Sequence, residues 1–152
     1  MSHIGERIYT NDGVYIAKAM KDHLNTWDRK PVIIHLEAFD KNPTSMMMQQ
    51  LSGAFKKRSY INGSYVGSWP FAVYIRISGK DTANRLDATG TLDGLNEWLT
   101  TTELPSLGDN RMAVKIEMAS LPSIAARHDN GSEDYQAIYE LEYYYQGGTR
   151  NA

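Results

Sequence analysis

A chain of 152 residues with 41% apolar and 22% charged side chains can bury one real core, and it is most economically one domain spanning residues 1–152. The absence of cysteine excludes disulfides, thiolate metal sites and cysteine nucleophiles, and it suits folding in a reducing cytosol. A formal net charge of −2 argues against generic nucleic-acid binding by a basic surface, and no apolar run approaches the roughly 18 residues of a membrane span.

The opening MSHIGERIYTNDG lacks an apolar signal-peptide core, and residues 1–10 are expected to be flexible. In NDGVYIAKAMKDHLNTW, residues Tyr15, Ile16, Ala19, Met20, His23, Leu24 and Trp27 share helical spacing. Lys18, Lys21, Asp22 and Asn25 take the wet side, and Asn11 or Asp12 can cap the helix. PVIIHLEAF is apolar on both faces until His35 and Glu37, which predicts an interior strand. SMMMQQLSG predicts a short strand.

KKRSY and WPFAVYIRIS predict a long β-hairpin across Asn62-Gly63, with a connection running on through Gly67. Gly63 and Gly67 read as loop glycines that need positive φ, not as a phosphate cradle. Trp69, Phe71, Val73, Ile75 and Ile77 fall on one face, where Trp69 anchors the core. KDTANRLDATGTLDGLNEWLTT predicts a second helix capped by Asp81 or Thr82, with Leu86, Leu92, Leu95, Trp98 and Leu99 buried. Gly90 and Gly94 each cost about 1 kcal/mol there and admit a break near Thr89.

LPSLGDNR is loop. RMAVKIEMA predicts a strand with Met112, Val114, Ile116 and Met118 inward and Lys115 and Glu117 outward. YQAIYELEYYY predicts another, with Tyr135, Ala137, Tyr139, Leu141, Tyr143 and Tyr145 on one face. Between them LPSIAARHDNGSED predicts a long exposed loop, and residues 146–152 a flexible tail. The sequons at Asn62 and Asn130 read as Asn-Gly turns. The order predicts an α+β fold: a mainly antiparallel β-sheet with two helices packed on one face and a long β-hairpin.

Motifs for chemistry are missing. The histidines at 3, 23, 35 and 128 lack ligand spacing, and His23 belongs to the apolar stripe of its helix. There is no GxSxG elbow, Walker loop or GxGxxG. Glu140 and Glu142 are same-face neighbours on a strand, the ordinary solvated arrangement, and DNGSED departs from a calcium loop where Asp134 replaces the required glycine. The expectation is no catalytic residues, no metal and no cofactor.

Charge is segregated. From Leu51 to Lys80 the ionisable groups include Lys56, Lys57, Arg58, Arg76 and Lys80 and no acid; from Asp129 to Glu142 they include Asp129, Glu133, Asp134, Glu140 and Glu142. Either the two stretches match within the chain or they meet between subunits, a heterologous contact that makes a ring when its rotation closes. Ten tyrosines add to the second alternative, since tyrosine is enriched at interfaces.

The combination KKRSYINGSYVGSWPFAVYIRI, DTANRLDATGTLDGLNEWL, LPSLGDNR and EDYQAIYELEYYY, in that order, resembles the minor capsid protein family of tailed bacteriophages. That family is grouped by similarity with the tail-terminator or tail-completion proteins of long-tailed phages. The resemblance spans roughly Met46 to Tyr145, and none of its motifs is catalytic. It implies a structural virion protein of the tail or neck, assembled in the host bacterial cytoplasm. By that resemblance such a subunit forms a ring of six copies on the last ring of tail-tube protein, stops tube growth and offers a joining surface to head-to-tail connector proteins. Double-stranded DNA would only pass through the lumen, and no membrane is involved.

On this resemblance Lys56, Lys57, Arg58, Tyr60 and Tyr65 of the hairpin, with Asp129, Glu133 and Asp134, are the expected subunit or tube contacts. The hairpin loop would be mobile before assembly and ordered on contact. A lumen-facing hairpin, touching DNA phosphates non-specifically, is the rival placement. The alternative function is a head-to-tail connector adaptor that binds the portal complex. A small-ligand module or enzyme would need a cleft with convergent polar groups, for which the sequence has no motif.

Overall fold

The computed structural model describes residues 7–79 and 82–148, and the side chain of Thr82 lies outside that description. The fold is α+β: a mainly antiparallel seven-stranded sheet with two helices on one face. Its spine is β5 (Tyr65–Ser78), fourteen residues long. Along one side β5 pairs with β7 (Ser132–Tyr145) without a slip, from Tyr65 opposite Tyr145 to Ser78 opposite Ser132. The other side is shared. β4 (Phe55–Ser59) covers Tyr65 to Ser68, and β3 (Ser45–Gln50) covers Phe71 to Arg76. Outside these lie β1 (Ile8–Tyr9) on β4, β2 (Ile34–Leu36) on β3, and β6 (Arg111–Arg127) on β7.

Pro70 in the middle of a central strand needs a reason, because proline cannot donate to a ladder. Its carbonyl accepts Leu51 N–H at 3.0 Å, so its nitrogen also points to the β3/β4 side. The missing donor therefore falls at the junction where β4 has ended and β3 has not begun. No ladder bond is lost there.

The expected alternation of β5 holds. Trp69, Phe71, Val73, Ile75 and Ile77 are buried, and Trp69 Nε1 donates to Gln50 Oε1 at 3.0 Å. The first helix, α1 (Gly13–Leu24), lays Ile16, Met20 and Leu24 on this face, and Trp27 completes its stripe. Asn25 is not merely wet: its side-chain amide donates to Lys21 and Ile34 carbonyls and accepts Ile34 N–H, tying the helix end to β2. The second helix, α2 (Thr82–Thr101), is unbroken at Thr89 and buries Ala88, Leu92, Leu95 and Leu99. Leu86, expected in the core, is 66% exposed because Ala88 takes the inward position at that turn. The helices meet through His23 and Trp27, both stacked on Trp98. The proposed caps Asp81 and the Thr82 side chain, and Lys80, lie outside the described residues.

Three other expectations are corrected. PVIIHLEAF gives a three-residue edge strand, parallel to β3; Ile34 is buried on the side of α1, while the other face is open, with Ile33 62% exposed. Glu37, with φ at 66°, ends it. LPSIAAR continues β6, so the loop shrinks to residues 128–131, closed by His128 N–H to Ser132 O at 2.9 Å. A register shift between Ala113 and Lys115 turns Ala113 inward and leaves Met112 and Val114 exposed, as one extra residue in a bulge must. Within the stretch expected to be flexible, Ile8 faces Lys56 and Tyr9 faces Phe55. At the other end Gln146 N–H bonds Asn110 O at 2.7 Å, while residues 1–6 and 149–152 lie outside the described residues.

The hairpin loop is also shorter than expected. It spans residues 60–64, and only Gly63 has positive φ. Gly67 is a strand residue opposite Lys56, and a side chain on it would collide with the ring of Tyr143. Gly90 has nothing within 4 Å of an added Cβ. Gly67→Ala should therefore cost about 1–3 kcal/mol by overpacking, whereas Gly90→Ala should stabilise by up to about 1 kcal/mol. Urea unfolding midpoints at constant slope check both.

Candidate assembly interface

The base of the hairpin is held by a buried carboxylate. Asp12 stands at the helix start, yet its side chain makes no capping bond, contrary to the simplest expectation from sequence. At 1% exposure its Oδ2 accepts from Tyr65 Oη, from Tyr143 Oη at 2.6 Å and from Thr10 Oγ1 at 2.9 Å. Its Oδ1 accepts Arg111 Nε at 2.7 Å. Four donors, from β5, β7, β6 and Thr10 in the link between β1 and α1, thus converge on one residue. Arg111 is held from both sides, 4.6 Å from the Tyr15 ring centre and 5.5 Å from that of Tyr145.

Burial alone would push the Asp12 carboxyl up. The hydrogen bonds from Tyr143, Tyr65, Arg111 and Thr10 outweigh it and hold the group below its ordinary value. For the phenols of Tyr65 and Tyr143, burial and the adjacent carboxylate act together and push both far above the usual tyrosine value. A saturated acceptor beside two phenols that stay protonated is a clamp. It offers neither a free base nor a nucleophile to the open hollow of about 380 Å³ beside it, between Thr10, Lys56 and Arg111.

The hairpin runs outward from this clamp. Its loop is closed internally, by Tyr60 N–H to Ser64 O at 2.9 Å and Ser64 N–H to Asn62 Oδ1 at 3.0 Å. Gly147 N–H reaches Ser64 Oγ at 3.1 Å, so the chain after β7 braces the turn. Ile61 at the tip is fully exposed, Tyr60 is 43% exposed, and the Tyr60 ring lies 6.5 Å from that of Tyr144. Exposed Met112 faces Tyr144 across the ladder and extends the apolar surface.

The expected contact residues separate into two groups. Lys56 lies over the Tyr65 ring at 4.8 Å, Arg58 reaches Tyr60 Oη at 3.4 Å, and Asp129 is exposed at its turn. These, with Tyr60, are placed at the surface. Tyr65 is not: it is 6% exposed and stacked on Tyr145 at 4.8 Å. Glu133 and Asp134 are also interior, at 4% and 7% exposure. Arg76 forms a fork to Asp134 at 2.7 and 3.0 Å, His128 bonds the same carboxylate at 2.9 Å, and Arg85 and Arg127 hold Glu133.

Lys57, displaced by the bulge in β4, pairs with Glu142 at 2.9 Å. Much of the segregated charge is therefore matched within the chain, which answers one of the two alternatives for Lys57, Arg76, Glu133, Asp134 and Glu142. His23 is a packing residue: its ring stacks on Trp98, and burial lowers its pKa.

Sequence reasoning missed Arg111 and the true role of Asp12, because the contacts of Asp12 with Tyr65, Arg111 and Tyr143 join positions 53 to 131 residues apart; Thr10, only two residues from Asp12, carries no motif that marks it. Among the described residues, no group of three or more His, Asp or Glu side chains could hold a metal ion, and no helix is long and apolar enough to cross a membrane. No known protein-family model matches this sequence, and no curated protein matches it.

Removing one donor leaves the buried carboxylate short of a partner, so Tyr143→Phe should cost about 1–3 kcal/mol. Asp12→Asn strands Arg111 as well and should cost about 3 kcal/mol or more at neutral pH. The folded-state pKa of Asp12 is depressed, so its contribution is complete above the unfolded value of about 4 and is lost as pH falls through the folded value. Melting temperature followed from pH 7 to 3 should drop more for the parent than for Asp12→Asn. Parallel curves would remove Asp12 from the acid response.

Proposed function

We propose that the protein is a structural subunit that works by self-association: a tail-terminator subunit whose ring caps a phage tail tube and receives the head connector. The resemblance of its hairpin, second helix and last strand to the minor capsid protein family supports this reading. The observation that carries it is the fully exposed Ile61, with Tyr60 and Tyr144, on a hairpin anchored at its base by the Asp12 clamp. A lone exposed isoleucine is ordinary, but an apolar tip on a braced arm is suited to a partner's surface.

Contacts of such a ring would be made by side chains rather than by strand addition. The long edge strand β6 carries four register shifts and Pro122, devices that blunt an edge against pairing. The ring would assemble in the bacterial cytoplasm and remain in the virion. Lys56 and Arg58 flank the tip and give the contact a charged rim.

Light scattering over a concentration range at two salt concentrations tests this reading. The expected result is a ring-sized mass that falls as salt rises, because rim charges are screened. A chain that stays monomeric at every concentration and does not cap purified tail-tube protein contradicts it. Binding to the portal connector in place of the tube would assign the protein to the head-to-tail adaptors.

A further inference from the structure

A groove runs along the exposed flank of α2, opposite the segment that follows α1. Its widest part, about 490 Å³, lies between Trp27, Arg29 and Pro31 on one wall and Leu86, Asp87 and Gly90 on the other. It continues past Pro31, Asp87 and Thr91 to a hollow floored by Ile75 and Ile77, and in the other direction past Gly94 to Asp28 and Glu97. Gly90 keeps it open, since nothing lies within 4 Å of an added Cβ, and Leu86 adds an exposed apolar wall. Acidic groups outnumber basic ones along it: Asp28, Asp87 and Glu97 against Arg29.

We propose that this groove is the socket for the hairpin tip of a second copy of the chain, with Ile61 seated between Leu86, Gly90 and Trp27. The inference rests on the self-association proposed above and names its two surfaces. Charge complementarity selects this occupant. Lys56 and Arg58 flank the tip, no acid occurs between Leu51 and Lys80, and the groove rim carries Asp28, Asp87 and Glu97. Position makes the contact intermolecular. Ile75 and Ile77 floor one end of the groove, whereas the tip lies beyond Tyr65, and Tyr65 to Ile75 is ten residues of strand, about 33 Å. A knob near one end of the molecule and a socket that reaches the other give a heterologous, head-to-tail contact, the kind that closes into rings.

The absence of cysteine provides a clean test. Ile61→Cys and Gly90→Cys are prepared as separate full-length proteins, mixed and mildly oxidised. Both positions are exposed, so both variants should fold as the parent does. The expected product is the mixed disulfide dimer, in excess over either homodimer. Gly90→Gln, which fills the groove without touching the core, should raise the concentration needed for assembly about tenfold. Arg58→Asp should weaken assembly likewise, and Asp87→Arg should restore it.

Homodimers of Ile61→Cys in excess, or no cross-link under conditions where the parent assembles, would overturn the socket while leaving the ring reading intact. Mixed disulfides in an open filament rather than a ring would uphold the socket and contradict the terminator reading. A parent that stays monomeric throughout, with no mixed disulfide, overturns both.

Discussion

The Asp12 carboxylate is the constraint on which the geometry of the hairpin depends. A buried ionised group must have its acceptors filled, and here the fillers come from the link before the first helix, the spine strand, its long partner and the outer strand. No subset of these elements can move independently without leaving the charge short of donors. Those elements fix where β5 begins and therefore where the hairpin leaves the sheet. Tyr65 illustrates the trade: it lies at the foot of the arm, yet its hydroxyl is spent inward on Asp12 and its ring on Tyr145.

From that anchored start β5 organises the rest. Its inward alternation of aromatic and β-branched residues collects both helices on one face, with Trp69, Phe71 and Tyr139 stacked in succession beneath them. Its outward residues, with those of β7, leave the opposite face without a covering layer, where Lys57 and Glu142 pair in the open. Charge that looks like an interface in the linear sequence is largely what an uncovered sheet face and a strand end require for themselves. Two local surfaces stand apart from that matched charge: an apolar tip with a cationic rim, and a groove along α2 with Asp28, Asp87 and Glu97 on its rim.

The periodic parts of the fold were legible in the sequence because burial on one face imposes a period of two or 3.6. Trp69 to Ile77, Tyr135 to Tyr143 and Ile16 to Leu24 all follow it. Local rules failed where one residue resets the pattern. The bulge after Ala113 exchanged inside for outside along β6, and Pro122 disguised a continuing strand as a loop. Leu86 was misassigned because helical spacing alone cannot say how wide the covered stripe is.

The candidate contacts were half legible. Arg58 and Tyr60 are at the surface as composition suggests, while Tyr65, Glu133 and Asp134 are interior because distant partners claim them. Ile61, the most exposed apolar residue of the hairpin, carried no motif at all.

Hydrogen exchange on the free and the assembled protein tests most directly whether the hairpin is a rigid arm with a free apolar tip. Amides of Phe55–Ser59 that bond β5, and those of Tyr65–Ser78 other than Pro70, should exchange slowly in both states, since the clamp holds the base of the hairpin. Amides of Ile61 and Asn62 should exchange fast in the free chain and become protected on assembly. Hairpin strands that exchange as fast as the tip, or tip amides left unprotected in the assembly, would contradict the account.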